Sequence, residues 1–226
     1  MKYVILAILL VIFGVFIYYS YKFKNPYKLI FLFGKKGSGK STLLVKYMIQ
    51  YHKKGYTIYT DMKECTLPYV NHIEFDDVGK YVGVPRSCIC LDEVGITMDN
   101  RKFKTFRDEL RDYLVYQRQY KNVVILASQV WDIDKKAKDR TDLMYLCGKI
   151  GPLSYARKIK RGFTITEATS EGESRVADQL AFDPFGTKLT WIPRYQYAYA
   201  SFSPPEKPYF AVTADTTDNV RKRIKK

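Results

Sequence analysis

Ligands for a metal site or a disulfide framework are scarce in this chain. It has two histidines, His52 and His72, and four cysteines. A structural zinc site wants four such ligands at recognisable spacing, and no spacing here fits. Cys88 and Cys90 lie two apart on a predicted strand and so share one face. Cys65 and Cys147 stand alone. Reduced thiols in or near the core are the expectation. Acidic residues are also short: 23 Asp and Glu face 38 Lys and Arg, a net charge of +15. A balance this basic points to an anionic partner, nucleic acid or a membrane surface. The excess is spread along the chain, with one dense run at Arg221-Lys222-Arg223-Ile224-Lys225-Lys226. With 46% hydrophobic residues the composition is globular, which excludes a disordered chain. The length suits one domain of ordinary size with additions.

Charge is missing altogether between Tyr3 and Tyr19. As a helix this apolar run is about 26 Å long, close to the ~30 Å of a bilayer's hydrocarbon core. Tyr18, Tyr19 and Tyr21 form an interfacial belt, and Lys22, Lys24 and Lys28 follow. Only Lys2 precedes the run, so the charge asymmetry puts the C-terminal side in the cytoplasm. A cleaved signal peptide is the rival. Its exit, Ile17-Tyr18-Tyr19-Ser20-Tyr21, lacks the small-x-small cleavage pattern. The expectation is an uncleaved, single-pass anchor over residues 1–24. The linker Phe23-Lys24-Asn25-Pro26-Tyr27 is short, so the following domain is expected against the membrane.

What the chain does have is Gly34-Lys35-Lys36-Gly37-Ser38-Gly39-Lys40-Ser41. It fits the phosphate-loop pattern G-x-x-x-x-G-K-[ST] at every fixed position. Lys28-Leu29-Ile30-Phe31-Leu32-Phe33 before it reads as a buried parallel strand. Ser41 to Gln50 after it reads as a helix. Glycines let successive backbone N–H groups turn onto phosphate oxygens, and the helix N-terminus adds partial positive charge. Lys40 is expected to reach the β- and γ-phosphates of a nucleotide such as ATP, and Ser41 to place its hydroxyl on Mg²⁺. A Gly- and Lys-rich surface turn shares the composition but lacks both flanks.

Thr57 to Asp61 reads as a second strand, followed by a less regular stretch to Pro85. Ser87-Cys88-Ile89-Cys90-Leu91 then runs into Asp92-Glu93. An apolar strand ending in two acids is a Walker B arrangement: the strand buries in the sheet and delivers carboxylates beside the phosphate loop. Asp92 is expected to hold Mg²⁺, directly or through water, and Glu93 to polarise the attacking water. A strand ending in a solvated acidic turn is the plainer alternative. Phe103 to Tyr120 shows helical spacing at Phe103, Phe106, Leu110, Tyr113, Leu114 and Gln117. Asn122 to Gln129 is another buried strand with a polar end. Ser128 and Gln129 are expected at the same sheet edge as Asp92, where Gln129 can sense a γ-phosphate or simply cap the strand.

Gly34–Ser41, Leu91-Asp92-Glu93, Tyr116-Gln117-Arg118-Gln119, Ile125-Leu126-Ala127-Ser128-Gln129 and Ile133-Asp134 together resemble the zonular occludens toxin family. That family includes the filamentous-phage assembly ATPases, within the FtsK/HerA-like P-loop motors. The resemblance spans about Lys28 to Cys147, with a fainter echo near Tyr195–Phe202. It implies nucleotide binding over Gly34–Thr42, metal and water handling at Asp92 and Glu93, and phosphate sensing at Gln129. Arg118 falls on the arginine of the family's His-Arg-His block, with Gln117 and Gln119 in place of the histidines. That makes it the first candidate for an arginine crossing between subunits. Arg140 is the second, and Lys138 falls where an arginine often follows the Ile-Asp pair. The phage assembly proteins usually place their span after the ATPase; here it comes first.

Beyond Leu146 the residues Ser154–Lys160 and Phe163–Thr166 suggest a hairpin around Arg161-Gly162, and Asp183-Pro184-Phe185-Gly186 a turn. Trp191 to Phe202 interleaves aromatic and basic residues. Such a stretch suits single-stranded nucleic acid, or the edge of a β-rich core, the plainer reading. Ser203 starts an extended basic tail over 203–226. The expected fold class is α/β: a P-loop NTPase with a mostly parallel sheet flanked by helices, filling 25–202, behind an N-terminal transmembrane helix. The resemblance implies a membrane-anchored ATPase using ATP and Mg²⁺ to translocate or package phage DNA during virion assembly and export. It implies a homo-oligomeric ring in the host's cytoplasmic (inner) membrane, with other phage assembly proteins as partners. A nucleotide-switched membrane scaffold with little motor activity is the alternative. A nucleoside kinase is a third reading, for which an N-terminal anchor is unusual.

Overall fold

The computed structural model describes residues 2–80, 85–97, 108–129, 139–167 and 174–199. Helix α1, Lys2–Lys22, is apolar on every face and buries none of its residues. Its central window has a mean hydropathy of 2.5, and among the described residues it is the one helix long and apolar enough to cross a membrane. The linker after it is pinned: Asn25 Oδ1 accepts from the Tyr27 N–H and its Nδ2 donates to the Tyr27 carbonyl, both at 2.9 Å.

The elements that follow are β1 (Leu29–Phe33), α2 (Lys40–His52), β2 (Thr57–Thr60), β3 (Val70–His72) and β4 (Ser87–Leu91). Then come α3 (Val94–Thr97), α4 (Asp108–Tyr116), β5 (Val123–Ser128), β6 (Leu143–Ile150), β7 (Leu153–Glu167), β8 (Ser174–Phe182) and β9 (Lys188–Trp191). A 3₁₀ helix, Ile192–Ala198, closes the described chain. Among the described residues nine strands form one sheet, in the order β3-β2-β4-β5-β1-β6-β7-β8, with β9 also on β7. Every pair from β3 to β6 is parallel; β7 runs antiparallel to β6, β8 and β9.

Strands β1, β4 and β5 are buried along their whole length. That is why they read as unbroken apolar runs rather than alternating ones. Alternate residues feed two cores. Ile30, Leu32, Cys88, Cys90, Ile125 and Ala127 pack with Leu43, Leu44 and Met48 of α2. Leu29, Phe31, Ile89, Leu91, Val124 and Leu126 pack with Leu110, Tyr113 and Leu114 of α4. Each fully buried large apolar side chain contributes roughly 1.5–3 kcal/mol. All four cysteines are buried and free, as core thiols.

Two expectations need correcting. No turn forms at Arg161-Gly162: β7 runs through it, with Gly162 opposite Gln179 of β8. The chain reverses instead at Gly151-Pro152, where Gly151 takes φ +54° between β6 and β7. A left-handed residue is what a tight reversal asks for, and glycine adopts it without a Cβ clash. The helix expected over Phe103–Tyr120 is described only as Asp108–Tyr116, and Gln117–Lys121 form a turn. The aromatic stretch starts on Trp191, the last residue of β9, and continues in the 3₁₀ helix on α2; Tyr195 and Tyr199 lie against the core, as the reading of a β-rich core edge expects. Phe103 and Phe106, the Ile133-Asp134 pair, Lys138 and the tail over 203–226 lie outside the described residues.

Candidate nucleotide site

The parallel strands β1, β4 and β5 are neighbours through β5, and all end at one sheet edge. Their ends deliver the phosphate loop, Asp92-Glu93 and Gln129 to the same place. The loop itself is built around Gly39, the N-cap of α2, at φ +85°. A Cβ there would lie 2.5 Å from Ser154 Oγ of β7. Ser154 in turn donates its hydroxyl to the Ser38 carbonyl at 3.0 Å, holding the loop from below. Ser38 is itself buried, and its Oγ has no hydrogen-bond partner among the described residues.

Lys40, the first residue of α2, is buried and curls back over the loop. Its ammonium donates to the carbonyls of Gly34 (2.9 Å) and Lys35 (3.1 Å). Burial lowers its pKa, while Asp92, Cys147 and Glu93 pull the other way. A cation held by two neutral carbonyls is poised to exchange them for phosphate oxygens, which bind it more strongly. Lys35 and Lys36 flank it in the loop. Thr42 sits two residues on, with its hydroxyl 3.3 Å from the Tyr199 hydroxyl.

Ser41 donates its hydroxyl to Asp92 Oδ2 at 2.6 Å. Two oxygen donors of this kind, one anionic, suit a hard divalent cation, so the pair fits Mg²⁺. Burial raises the Asp92 pKa; the Ser41 hydroxyl and the Glu93 N–H oppose it. Glu93 has φ +51°, a left-handed conformation that costs a non-glycine residue about 1–2 kcal/mol. Its N–H donates to Asp92 Oδ1 at 2.9 Å. That turn exposes the Glu93 carboxylate, and Gln129 Nε2 donates to it at 2.5 Å. Strain of this kind at a strand end accords with a functional position.

Asp61, at the end of β2, belongs to the site although sequence pattern alone assigns it no role. Its Oδ1 accepts the Asp92 N–H at 2.8 Å, bracing the Asp92 backbone from the neighbouring strand. Burial pushes its carboxyl up to about 7, with the Asp92 N–H opposing. The available signal was the adjacency of two strands that both end in aspartate. Ser154 gives no such signal, because it lies on an antiparallel strand beyond the loop.

Arg118 is not brought to this edge. It follows α4 and meets Asp142 Oδ1 at 3.5 Å. The other Asp142 oxygen accepts the Leu29 N–H at 2.8 Å, at the start of β1. Arg118 therefore lies at the opposite edge of the sheet from its own phosphate loop. Arg140, two residues before Asp142, lies at that same far edge. Gln117 is buried beside it in the chain, its Oε1 unpartnered among the described residues.

No family model matches the chain, and no curated protein does. Among solved structures it is similar to the N-terminal domain of zonular occludens toxin from Neisseria meningitidis. The identity is 12% and the TM-score 0.51, covering 77% of this chain and 99% of that one. A weaker likeness is to the genome packaging NTPase of Sulfolobus turreted icosahedral virus 2, in complex with ATP-gammaS. There the identity is 20% and the TM-score 0.45, over 57% of this chain and 78% of that one. The flagellar accessory protein FlaH of Methanocaldococcus jannaschii follows, at 12% identity and TM-score 0.46, covering 68% and 90%. At such identities the likeness concerns the fold: this chain shares with the zonular occludens toxin N-terminal domain a mostly parallel sheet flanked by helices.

Proposed function

We propose that this protein is a membrane-anchored ATPase that moves or packages phage DNA during virion assembly and export. The observation that carries the ATPase reading is the convergence of Ser41–Asp92 and Glu93–Gln129 on one sheet edge beside Lys40. In this reading Gly34 to Thr42 wrap the phosphates of ATP, with Lys40 on the β- and γ-phosphates. Ser41 and Asp92 hold Mg²⁺, which when bound neutralises charge on the phosphate oxygens. Water attacks the γ-phosphorus, the bond to the β–γ bridging oxygen breaks, and ADP and phosphate leave. Glu93 takes the proton from that water, and Gln129 orients the Glu93 carboxylate.

The anchor reading is supported by α1, which buries none of its residues. A buried core helix would pass the same length and hydropathy test, but would be covered. With the anchor uncleaved the ATPase domain faces the host cytoplasm, where ATP is available. A reporter fused after Lys226 should then be cytoplasmic and the mature protein should keep Met1 to Lys22. An N-terminus near Tyr21 with an external reporter would overturn the anchor.

The DNA cargo is supported by the net charge of +15 and by the resemblance of the ordered motifs to phage assembly ATPases. A motor of that kind works as a homo-oligomeric ring, with other assembly proteins as its partners. In a ring, Arg118 is the residue proposed to cross between subunits. It is well exposed and far from its own loop, so the γ-phosphate it can meet is a neighbour's. The test is phosphate release by the full chain in detergent micelles, with and without DNA. Turnover that needs Lys40 and rises with DNA supports the motor. Turnover indifferent to any DNA points to the nucleotide-switched scaffold instead.

A further inference from the structure

A second cleft, of about 450 Å³, lies on the flank of α2 away from the phosphate loop. On one side Lys46 projects from α2 and Lys53 caps its C-terminal end. On the other stand Trp191 at the end of β9 and Arg194, Tyr195 and Tyr197 of the 3₁₀ helix. No aspartate or glutamate lines it among the described residues. Trp191 is 53% exposed and Tyr197 71% exposed, so two large aromatic side chains face water. Lys46 is fixed in place: its ammonium donates to the Leu189 carbonyl at 2.7 Å and to Thr190 Oγ1 at 3.1 Å. Both are neutral acceptors. After burial, the charge of Arg194 is the next cause holding the Lys46 pKa down. Two cations thus share one cleft without an anion between them.

Cations alone would suit any polyanion. Exposed aromatic side chains beside ordered cations are more selective, because they offer stacking surface to bases that are not already stacked on one another. A duplex hides its base faces and would meet only the charges. The volume lies at the lower end of the ~300–1,000 Å³ of small-ligand sites, a nucleotide-sized compartment rather than a duplex groove. The cleft is open, so a chain can enter and leave it.

We propose that this cleft between α2 and the 3₁₀ helix binds a single polynucleotide strand, its phosphates on Lys46, Lys53 and Arg194 and its bases on Trp191 and Tyr197. The assignment rests on the DNA reading above for its setting. It concerns strand binding alone, with no ATP turnover required. The cleft also shares parts with the phosphate loop. Thr190, which holds Lys46, pairs in register with Ser154, and Ser154 holds Ser38.

The experiment is fluorescence anisotropy of a fluorescein-labelled oligothymidylate of about sixteen nucleotides, the upper end of one strand-binding site. The full chain is used in detergent micelles, without ATP and near physiological salt. Trp191→Ala and Tyr197→Ala should each weaken binding by about fivefold or more, the scale of one lost base stack. Arg194→Glu should weaken it further, and Lys80→Glu, an equal charge change away from the cleft, should leave it unchanged. Binding of a fluorescent ATP analogue at the phosphate loop should be the same in every variant, which shows that each is folded. Wild-type affinity in both aromatic variants would overturn the assignment. So would a duplex of the same length binding as tightly, or free thymidine monophosphate displacing the strand at equal nucleotide concentration. An enzyme whose hydrolysis ignores DNA, yet whose strand binding fails in these variants, would sink the motor and keep the cleft.

Discussion

Gln129 and Glu93 meet at 2.5 Å, amide to carboxylate, across the tips of two adjacent parallel strands. The bond ties the proposed base to the residue proposed to sense phosphate, so the two are expected to fail differently. Glu93→Gln should keep nucleotide binding and lose about 10²-fold or more in hydrolysis, the scale for a positioned base. Gln129→Ala keeps the carboxylate but loses its orientation. It should cost up to about 10²-fold, as misplaced reacting groups do. Single-turnover phosphate release reads both, and normal turnover in Glu93→Gln would remove Glu93 from the chemistry.

The loop is equally constrained at Gly39. Alanine there would have to hold φ +85° and place its Cβ against Ser154 Oγ. The left-handed backbone alone costs about 1–2 kcal/mol. Gly39→Ala should therefore lower both the melting temperature and nucleotide affinity. Adding Ser154→Gly removes the clash but not the backbone strain, so recovery should be partial. Ser154→Ala by itself loses one buried hydrogen bond, worth about 1 kcal/mol. Full recovery in the double variant would show that only the clash mattered. Thermal unfolding and titration with a fluorescent ATP analogue measure both effects.

The parts of this site that sequence reveals are those whose signal is local. The phosphate loop carries its own pattern, and β4 and β5 are buried on both faces, so each reads as an apolar run with a polar end. Asp61 is hidden because its partner is a backbone N–H thirty-one residues away, not a side-chain motif. Strand β3 is short and mostly exposed, with only Val70 partly covered, so no apolar run marks it. The reversal at Gly151-Pro152 and the unbroken strand through Arg161-Gly162 show the converse. Both pairs look like turns, and strand pairing with β6 and β8 decides between them. Arg118 shows the same limit: matching a motif placed it beside the site's other blocks in sequence, while the fold sends it to the far edge.

Lys188 offers a test by pH. It lies over the rings of Tyr47 and Tyr145 and donates to the Tyr47 hydroxyl. Burial first, then the charges of Lys46, Lys158 and Lys54, push its pKa down to about 8. Between that value and the ~10.4 of an unfolded lysine the unfolded chain binds more protons. Stability contributed at this site should therefore rise with pH across about 8 to 10 and be flat below it. Lys188→Gln, which still has an N–H for Tyr47, should lack that rise. Melting temperatures from pH 7 to 10 should converge differently for the two proteins; parallel curves would assign the crowding elsewhere.

The trans contact is the last test. In its own subunit Arg118 makes an exposed ion pair with Asp142, of a kind worth ~0–1 kcal/mol, so Arg118→Ala should hardly change the melting temperature. Asp142 keeps its bond to the Leu29 N–H without it. If Arg118 reaches a neighbour's γ-phosphate, the same substitution should lower kcat by about 10³-fold or more and leave nucleotide affinity intact. Complementation then separates the two roles. A subunit with Glu93→Gln still presents Arg118, and a subunit with Arg118→Ala still has Glu93. Where the first faces the second, a complete site forms, so mixing two inactive proteins should restore part of the activity. Co-purification of differently tagged subunits shows that they share an oligomer. A mixed oligomer that stays inactive would return Arg118 to its own fold, as the surface partner of Asp142, and make Arg140 the next residue to test in the same way.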